Sequence, residues 1–342
     1  MADHKEITIY DLAARLNLST ATISRALNDH PAISKATKKK IKDLAKELGY
    51  RSNTFASNLR TRRTHTIGVV VQRLNSNFVA QVLAGMEKVA NDEGYNLIIT
   101  QSLESAQKEI TNLQTMFDNR VDGLLASLAY DTDNIRHFQK FFNKDIPVVF
   151  FDRVFEHEQS LSVVIDNYKN GLEVTNHLIE QGCKRIVHIT GNLKRNVYAD
   201  RYKGYRDALE THRIPFTDDL LIINNMTEQG GAEAADHILQ MKQMPDGIFA
   251  SSDACAVYCL KTLKQAGIRI PEDIAVAGFN DDPISRVIEP NLTTVHYPGY
   301  TMGKVAASSL INHLNGISDI RTTNKILLRS ELIVRDSSLR AL

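Results

Sequence analysis

The stretch TIYDLAARLNLSTATISRALN, residues 8–28, contains two short amphipathic segments separated by the tripeptide NLS. Thr8 and Asp11 have the spacing of a capping box, which predicts that a helix begins after Thr8. Asn17 tolerates the left-handed backbone that a tight turn requires, and Ser19 can cap a second helix. Two short helices joined by such a turn form a helix-turn-helix.

A third helix is predicted after Ser34, because apolar residues recur there every three or four positions until Gly49. The second helix exposes small and polar side chains near its N-terminus, so it can enter the major groove of DNA. Arg25 lies on the same face and can reach a guanine edge or a phosphate. The sequence therefore predicts a three-helix DNA-binding head.

Positive charge is concentrated in this head, although the net charge of the 342 residues is only +1. Residues 1–65 contain 13 Lys and Arg against 6 Asp and Glu, a net charge of +7, and the remainder has a net charge of −6. A basic head on an acidic body indicates that the head binds a polyanion.

The segment RSNTFASNLRTRR, residues 51–63, is polar and basic, yet it contains the aliphatic residue Leu59. Such a residue can pack on the following domain, or it can insert between base pairs. An apolar wedge partly unstacks a base step and kinks the duplex. The neighbouring Arg60, Arg62 and Arg63 would add phosphate contacts, which favours the wedge.

The stretch ITIYDLAARLNLSTATISRALNDHPAISKATKKKIKDLAKELGY, followed by NTFASNLRTRRTHTIGVVV, resembles LacI/GalR-family transcription regulators, and the resemblance covers nearly the whole chain. It implies that the linker folds as a short hinge helix on operator DNA, where Leu59 would be the minor-groove wedge. Ser52 departs from the proline that the family often has. The expected DNA-binding residues are Thr8, Tyr10, Ser19, Thr20, Ala21, Thr22, Ser24, Arg25, Asn28, Ser34, Tyr50, Asn53, Ala56, Leu59 and Arg60.

After the linker, short apolar runs alternate with helical stretches, which is typical of buried parallel strands flanked by helices. Nine or so strands in two groups predict two similar lobes. The predicted fold class is α/β, with the helix-turn-helix head in front of a two-lobed body of parallel sheets. The runs are TIGVVVQ, YNLIIT, DGLLAS, PVVFFD, LSVVID, RIVHIT, LLIINN, GIFASS and DIAVAGF.

The family resemblance implies a body similar to periplasmic sugar-binding proteins, whose two lobes close on a small ligand. We expect the chain to cross between the lobes three times. The expected divisions are a head at 1–50, a hinge at 51–65, and a body at 66–342 with lobe 1 at 66–165 and 296–323 and lobe 2 at 166–295 and 324–342.

Ligands of open parallel sheets bind beyond the carboxyl ends of the strands, so residues just after each strand are candidate effector ligands. The resemblance marks Asp152, Asp253, Asn280 and Arg201 most strongly, and Arg201 lies in the family-like motif RYKGY. The whole candidate set is Arg73, Ser76, Phe78, Asp152, Arg195, Arg201, Met226, Asp253 and Asn280.

We expect a carbohydrate-type effector. Arg73 stands where the family often has an acid, which could favour an anionic sugar derivative. The alternatives are a purine, because LKRN (193–196) resembles the purine-responsive member of the family, and a DNA-binding dimer without an effector.

Enzyme motifs are absent from the sequence: it contains no GxxxxGK[ST], strand-linked GxGxxG or GxSxG. Cys183, Cys255 and Cys259 have no CxxC or HExxH pattern to complete a metal site. We therefore expect no catalytic residue, metal or cofactor.

The surroundings and partners of the protein can also be predicted. No apolar run reaches the roughly 18 residues of a membrane helix, and the N-terminus lacks a signal-peptide core. A single head covers only half of an operator. We expect a cytoplasmic, nucleoid-associated homodimer that represses carbohydrate-use genes and has no contact with membranes.

Overall fold

The structure is a computed structural model that describes residues 7–50 and 63–340, which divide into a head, residues 1–64, and a body, residues 65–342. The predicted α/β class with an N-terminal helix-turn-helix is confirmed. Of the helices within the described ranges, none has the length and apolar character needed to cross a bilayer. The expected hinge residues Asn53, Ala56, Leu59 and Arg60 lie outside the described residues.

The head consists of helices α1 (Ile9–Leu16), α2 (Thr20–Leu27) and α3 (Lys35–Glu47) around a small core that includes Leu12, Ile23 and Ile41. Local signals set each boundary, as the sequence predicts. The capping box of Thr8 and Asp11 begins α1, and Asn17 ends it with a φ of 50°. The side chains of Ser19 and Ser34 accept hydrogen bonds from the first turns of α2 and α3.

Lobe 1 of the body is built on a six-stranded parallel sheet in the order β11-β5-β4-β3-β1-β2. Helices α4 (Asn77–Asp92) and α5 (Ala106–Asp118), the short α6 (Gln139–Phe142) and α11 (Gly299–Leu314) belong to this lobe. The strands are β1 (Thr66–Val71), β2 (Asn96–Gln101), β3 (Gly123–Ala126), β4 (Val148–Phe151), β5 (Ser160–Ile165) and β11 (Lys325–Leu328).

Lobe 2 contains a four-stranded parallel sheet in the order β7-β6-β8-β9, and a short antiparallel pair, β10 (Thr294–His296) with β12 (Glu331–Ile333), lies at the crossings between the lobes. The helices of lobe 2 are α7 (Asn167–Glu180), α8 (Asn196–Thr211), α9 (Glu228–Leu239) and α10 (Asp253–Gln265). Its strands are β6 (Ile186–Thr190), β7 (Leu221–Ile223), β8 (Gly247–Ala250) and β9 (Ala275–Ala277).

One expected lobe boundary is wrong in position. The sequence places residues 324–342 in lobe 2, but β11 pairs in parallel with β5, with Lys325 opposite Ser162, and so extends the lobe 1 sheet. The chain returns to lobe 2 only after β12, where the Ser337 hydroxyl donates to the Val276 carbonyl. The reason is that β5 offers an open parallel edge, which β11 covers.

Helices α7 and α8 cross at a distance that only glycine permits. A Cβ on Gly171 would lie 2.4 Å from the Arg201 carbonyl oxygen, and one on Gly204 would lie 2.3 Å from the Tyr168 carbonyl oxygen. This close crossing fixes the backbone of α8 at Arg201, one of the candidate effector residues.

We expect Gly171→Ala to lower the free energy of unfolding by about 1–3 kcal/mol, because the added methyl group overpacks the crossing. Urea denaturation measures the change. Lys169→Ala, at an exposed position of the same helix, should stay within about 0.5 kcal/mol of wild type. Equal stability of wild type and Gly171→Ala would contradict the close crossing.

Candidate DNA-binding face and effector cleft

Helix α2 presents the exposed residues Ala21 and Arg25, with Thr20 and Ser24 half-buried beside them. Two other residues that are predicted to contact DNA form hydrogen bonds within the head. Thr22 is hydrogen-bonded to the Ser19 hydroxyl, and Asn28 donates to the Ser24 carbonyl. Arg25 forms no ion pair within residues 7–50 and 63–340. The exposed face therefore offers one guanidinium and a small methyl side chain to a binding partner.

The remaining expected DNA contacts of the head lie at helix ends. Thr8 and Ser34 cap α1 and α3, and Tyr10, in the first turn of α1, is 73% exposed. Tyr50, after α3, instead packs against the core of the head. Capping leaves the hydroxyls of Thr8 and Ser34 exposed, so they can also meet a phosphate.

A cleft of about 660 Å³ lies between the two lobes of the body, at the carboxyl ends of the strands in both sheets. Its lining residues follow β1, β4, β7, β8 and β9, as the strand-end rule for parallel sheets requires. The candidate residues that line the cleft are Arg73, Ser76, Phe78, Asp152, Arg201, Met226 and Asn280.

Asp152 lies at the base of the cleft in a left-handed conformation, with a φ of 59°. Its Oδ1 accepts a 2.7 Å hydrogen bond from the Tyr297 hydroxyl, and its Oδ2 accepts one of 3.2 Å from Gln72. Gln72 also donates to Ser127, so the end of β1 and the end of β3 are tied to Asp152. The carboxylate is thus held in place by neutral donors.

Arg201 enters the cleft from lobe 2 and is 3% exposed. Its Nε donates to Asn167 at 2.8 Å, its Nη1 donates to the Ser251 carbonyl at 3.0 Å, and its guanidinium lies 3.5 Å from the centre of the Phe279 ring. Burial lowers the pKa of this guanidinium from its usual value. Within the described residues Nη2 has no hydrogen-bond partner, so a ligand can accept from it.

A cluster of charged and aromatic side chains closes one side of the cleft. The Arg153 guanidinium lies 4.3 Å from the centre of the Tyr130 ring, and it donates to Glu104 at 2.7 Å and to the Tyr198 hydroxyl at 3.0 Å. Tyr130 and Tyr198 are joined by a 3.0 Å hydrogen bond. Arg73, 39% exposed, lies 4.0 Å from Glu104. The arginine that suggested an anionic ligand therefore faces a carboxylate.

Arg195 does not line the cleft. It donates through Nη2 to the Thr132 carbonyl of lobe 1, and burial lowers its pKa. Its neighbours also contact lobe 1: Asn192 donates to the Tyr130 carbonyl at 3.1 Å, and Asn196 donates to the Asp152 carbonyl at 3.0 Å. Arg195, a predicted effector-binding residue, instead belongs to a contact between the lobes, because the turn before α8 faces the loop after β3.

Asp253 also lies outside the cleft lining, and it is fully buried. Its carboxylate accepts hydrogen bonds from the Thr294 hydroxyl at 2.6 Å and from the Asp282 backbone amide at 2.7 Å. Burial raises the pKa of this carboxyl to about 7. Asp253 therefore positions the loop 280–282, whose residues Asn280 and Asp282 do line the cleft.

Several cleft residues were not in the predicted set. Gln72 and Ser251 are the first residues after β1 and β8, so the strand-end rule could have found them. Tyr198 precedes Arg201 by one helical turn and shares its face. Tyr297 also directly follows a strand, the three-residue β10, and Glu104 lies three residues beyond the end of β2.

The chain matches two family models. One is described as bacterial regulatory proteins of the lacI family and covers residues 8–53, and the other is a periplasmic binding protein-like domain that covers residues 175–338. These ranges coincide with the head and with much of the body.

Known proteins resemble the chain over nearly its full length. It is 34% identical to the HTH-type transcriptional regulator RegA of Clostridium saccharobutylicum, over 97% of this chain and 99% of that protein. It is 30% identical to catabolite control protein A of Priestia megaterium, over 90% and 93% respectively. The solved complex of the transcriptional regulator CelR with cellobiose is 28% identical, with a TM-score of 0.73 over 97% of this chain and 100% of that chain.

We expect Arg195→Gln to weaken the contact between lobes by about 1–3 kcal/mol, because it leaves the buried Thr132 carbonyl without its donor. Hydrogen exchange of residues 129–133 should then accelerate. Lys194→Gln is the control, since its ion pair with Asp133 is exposed and contributes about 0–1 kcal/mol. If both variants exchange at the same rate, the Arg195 contact does not hold the lobes together.

Proposed function

The chain belongs to the LacI family of bacterial regulatory proteins, and from that premise we propose that it binds a pseudo-palindromic operator as a homodimer and responds to a small molecule in the cleft between its lobes. As a member of this family it is a DNA-binding transcription regulator. The observation that carries the proposal is the joint presence of a free recognition face on α2 and a polar cleft at two facing sets of strand ends.

Operator recognition is assigned to α2 and the linker. Ala21 and Arg25 would contact base edges in the major groove, with Thr20 beside them. Leu59 would act as the minor-groove wedge, with Asn53, Ala56 and Arg60 around it. The net charge of +7 on residues 1–65 supports binding to the phosphate backbone and so an association with the nucleoid. Repression of carbohydrate-use genes is the regulatory role we propose.

The effector is proposed to be a carbohydrate. The cleft combines carboxylates, amides and hydroxyls with the aromatic rings of Tyr198 and Tyr297, a mixture that suits a molecule with many hydroxyl groups. The CelR complex contains cellobiose, which supports the same class. A purine is the second candidate, because the aromatic side chains of Phe78, Tyr198 and Tyr297 line the cleft and a planar base can pack against them.

The cleft can influence the head through the arrangement of the lobes. The chain crosses between the lobes three times, so they can move as rigid bodies about these crossings. The linker leads directly into β1 of lobe 1. A ligand that binds one arrangement more tightly shifts the population by its differential affinity alone. Arg201 of lobe 2 and Asp152 of lobe 1 line the same cleft, so one ligand can contact both lobes.

We expect Arg25→Ala to cost about 1–3 kcal/mol of operator affinity and to relax the preference at one position of each half-site. Selection of binding sites from random DNA measures this preference. Arg15→Ala, which removes the same charge from α1, should leave the selected motif unchanged. An unchanged motif for Arg25→Ala as well would limit Arg25 to phosphate contacts.

We expect Arg201→Ala to leave ligand-free operator binding near that of wild type and to weaken effector binding by about 1.5–3 kcal/mol, because a charged hydrogen-bond donor is lost. Operator affinity by fluorescence anisotropy across an effector titration measures both quantities. If the variant responds at the same effector concentration as wild type, Arg201 does not contact the effector.

A further inference from the structure

The charged side chains of the cleft are not balanced by one another. Those that line it comprise three cations and four carboxylates, namely Arg73, Arg153, Arg201, Glu104, Asp152, Glu228 and Asp282. Arg73 and Arg153 both face Glu104 within lobe 1, and Arg201 is held by Asn167 and the Ser251 carbonyl. Each cation therefore already has a protein acceptor, and only Nη2 of Arg201 is left for an acceptor on the ligand. Asp152, although its hydrogen bonds come from neutral donors, lies near the charges of Arg153 and Arg201.

The lobe 2 wall, in contrast, contains two carboxylates without a nearby cation. Asp282 is 9% exposed, and its side chain is hydrogen-bonded to the neutral amide of Asn280. Glu228, at the start of α9, accepts from the Tyr258 hydroxyl. Neither forms an ion pair within the part of the chain that the structure describes.

The charges around Asp282 do not supply the missing cation. The adjacent Asp281 takes up both nearby arginines, Arg335 and Arg286, each at 2.6 Å. Asp253, which accepts from the Asp282 amide, is itself a carboxyl group. A buried carboxylate without a cation is unfavourable. Because Asp282 borders an open cleft, a cationic ligand is what would complete its surroundings.

We propose that the effector is a sugar that carries an amino group, and that its ammonium group binds the carboxylate of Asp282, with Glu228 as the second carboxylate of the same wall. This inference rests on the proposed carbohydrate effector and specifies its chemistry. An ammonium group donates three hydrogen bonds and compensates one of the two negative charges of the wall. A sugar phosphate or sugar acid would bring a like charge to that wall, so we expect it to bind more weakly than the amine.

Isothermal titration of the full-length protein with matched sugars tests the proposal. The panel contains D-glucosamine, N-acetyl-D-glucosamine, D-glucose and D-glucose 6-phosphate, the galactose and mannose counterparts, and β-1,4-linked disaccharides with and without amino groups. In the sugar series that the protein binds, whether glucose, galactose, mannose or disaccharide, the amino sugar should bind at least tenfold more tightly than the hydroxyl and N-acetyl forms. Asp282→Asn and Glu228→Gln should each reduce that preference, and Asp282→Asn should reduce it more.

Glu233→Gln is the matched control, because Glu233 lies on α9 and is exposed, as Glu228 is, but it does not line the cleft. It should bind every sugar as wild type does. Melting temperature and operator affinity of each variant show whether it is folded, and Glu228→Gln keeps the test valid if Asp282→Asn does not fold.

The possible outcomes separate the two proposals. Equal or tighter binding of neutral or phosphorylated sugars overturns the amino-sugar inference and leaves the carbohydrate effector in place. Operator binding with no response to any sugar of the panel overturns both. An amine preference that survives in Asp282→Asn and Glu228→Gln also overturns the inference, because the ammonium would then bind elsewhere.

Discussion

The buried guanidinium of Arg201 is the constraint around which the cleft is organised. A charge with 3% exposure must be met by fixed acceptors, and here they come from separate parts of lobe 2. Asn167 begins α7, Ser251 follows β8 and the Phe279 ring follows β9. These three elements must keep their relative positions for the charge to remain satisfied. The glycine crossing of α7 and α8 belongs to the same requirement, because it fixes the backbone that carries Arg201.

The parts of the fold that depend on local sequence could be predicted, and those that depend on distant pairing could not. The caps at Thr8, Ser19 and Ser34 act within one helical turn, so the helices of the head can be predicted from the sequence. Strands β1 to β9 also follow from their apolar runs. The placement of β11 in the lobe 1 sheet has no local signal, because its partner β5 lies far back in the chain.

The same distinction applies to the cleft. Residues that follow strands, such as Asp152 and Asn280, lie in it because parallel strands end at one edge. Arg195 and Asp253 resemble cleft ligands by type and position, but their side chains are taken up by the Thr132 carbonyl and by Thr294. Arg73 by itself favours an anionic ligand, but its neighbour Glu104 offers a carboxylate within the protein. Whether a charged side chain in a pocket is free to bind a ligand depends on its neighbours, and a single sequence does not show which residues are neighbours.

The return of the chain to lobe 1 through β11 has a consequence for biosynthesis. The head completes its core within the first 50 residues, so it can fold while the ribosome is still producing the body. The lobe 1 sheet cannot be completed in this way, because β5 waits for β11 until residue 328 has emerged. Throughout that interval β5 presents an unpaired parallel edge, the kind of surface that pairs wrongly with other chains. The order of synthesis therefore leaves this edge of the lobe 1 sheet uncovered until almost the whole body has been made.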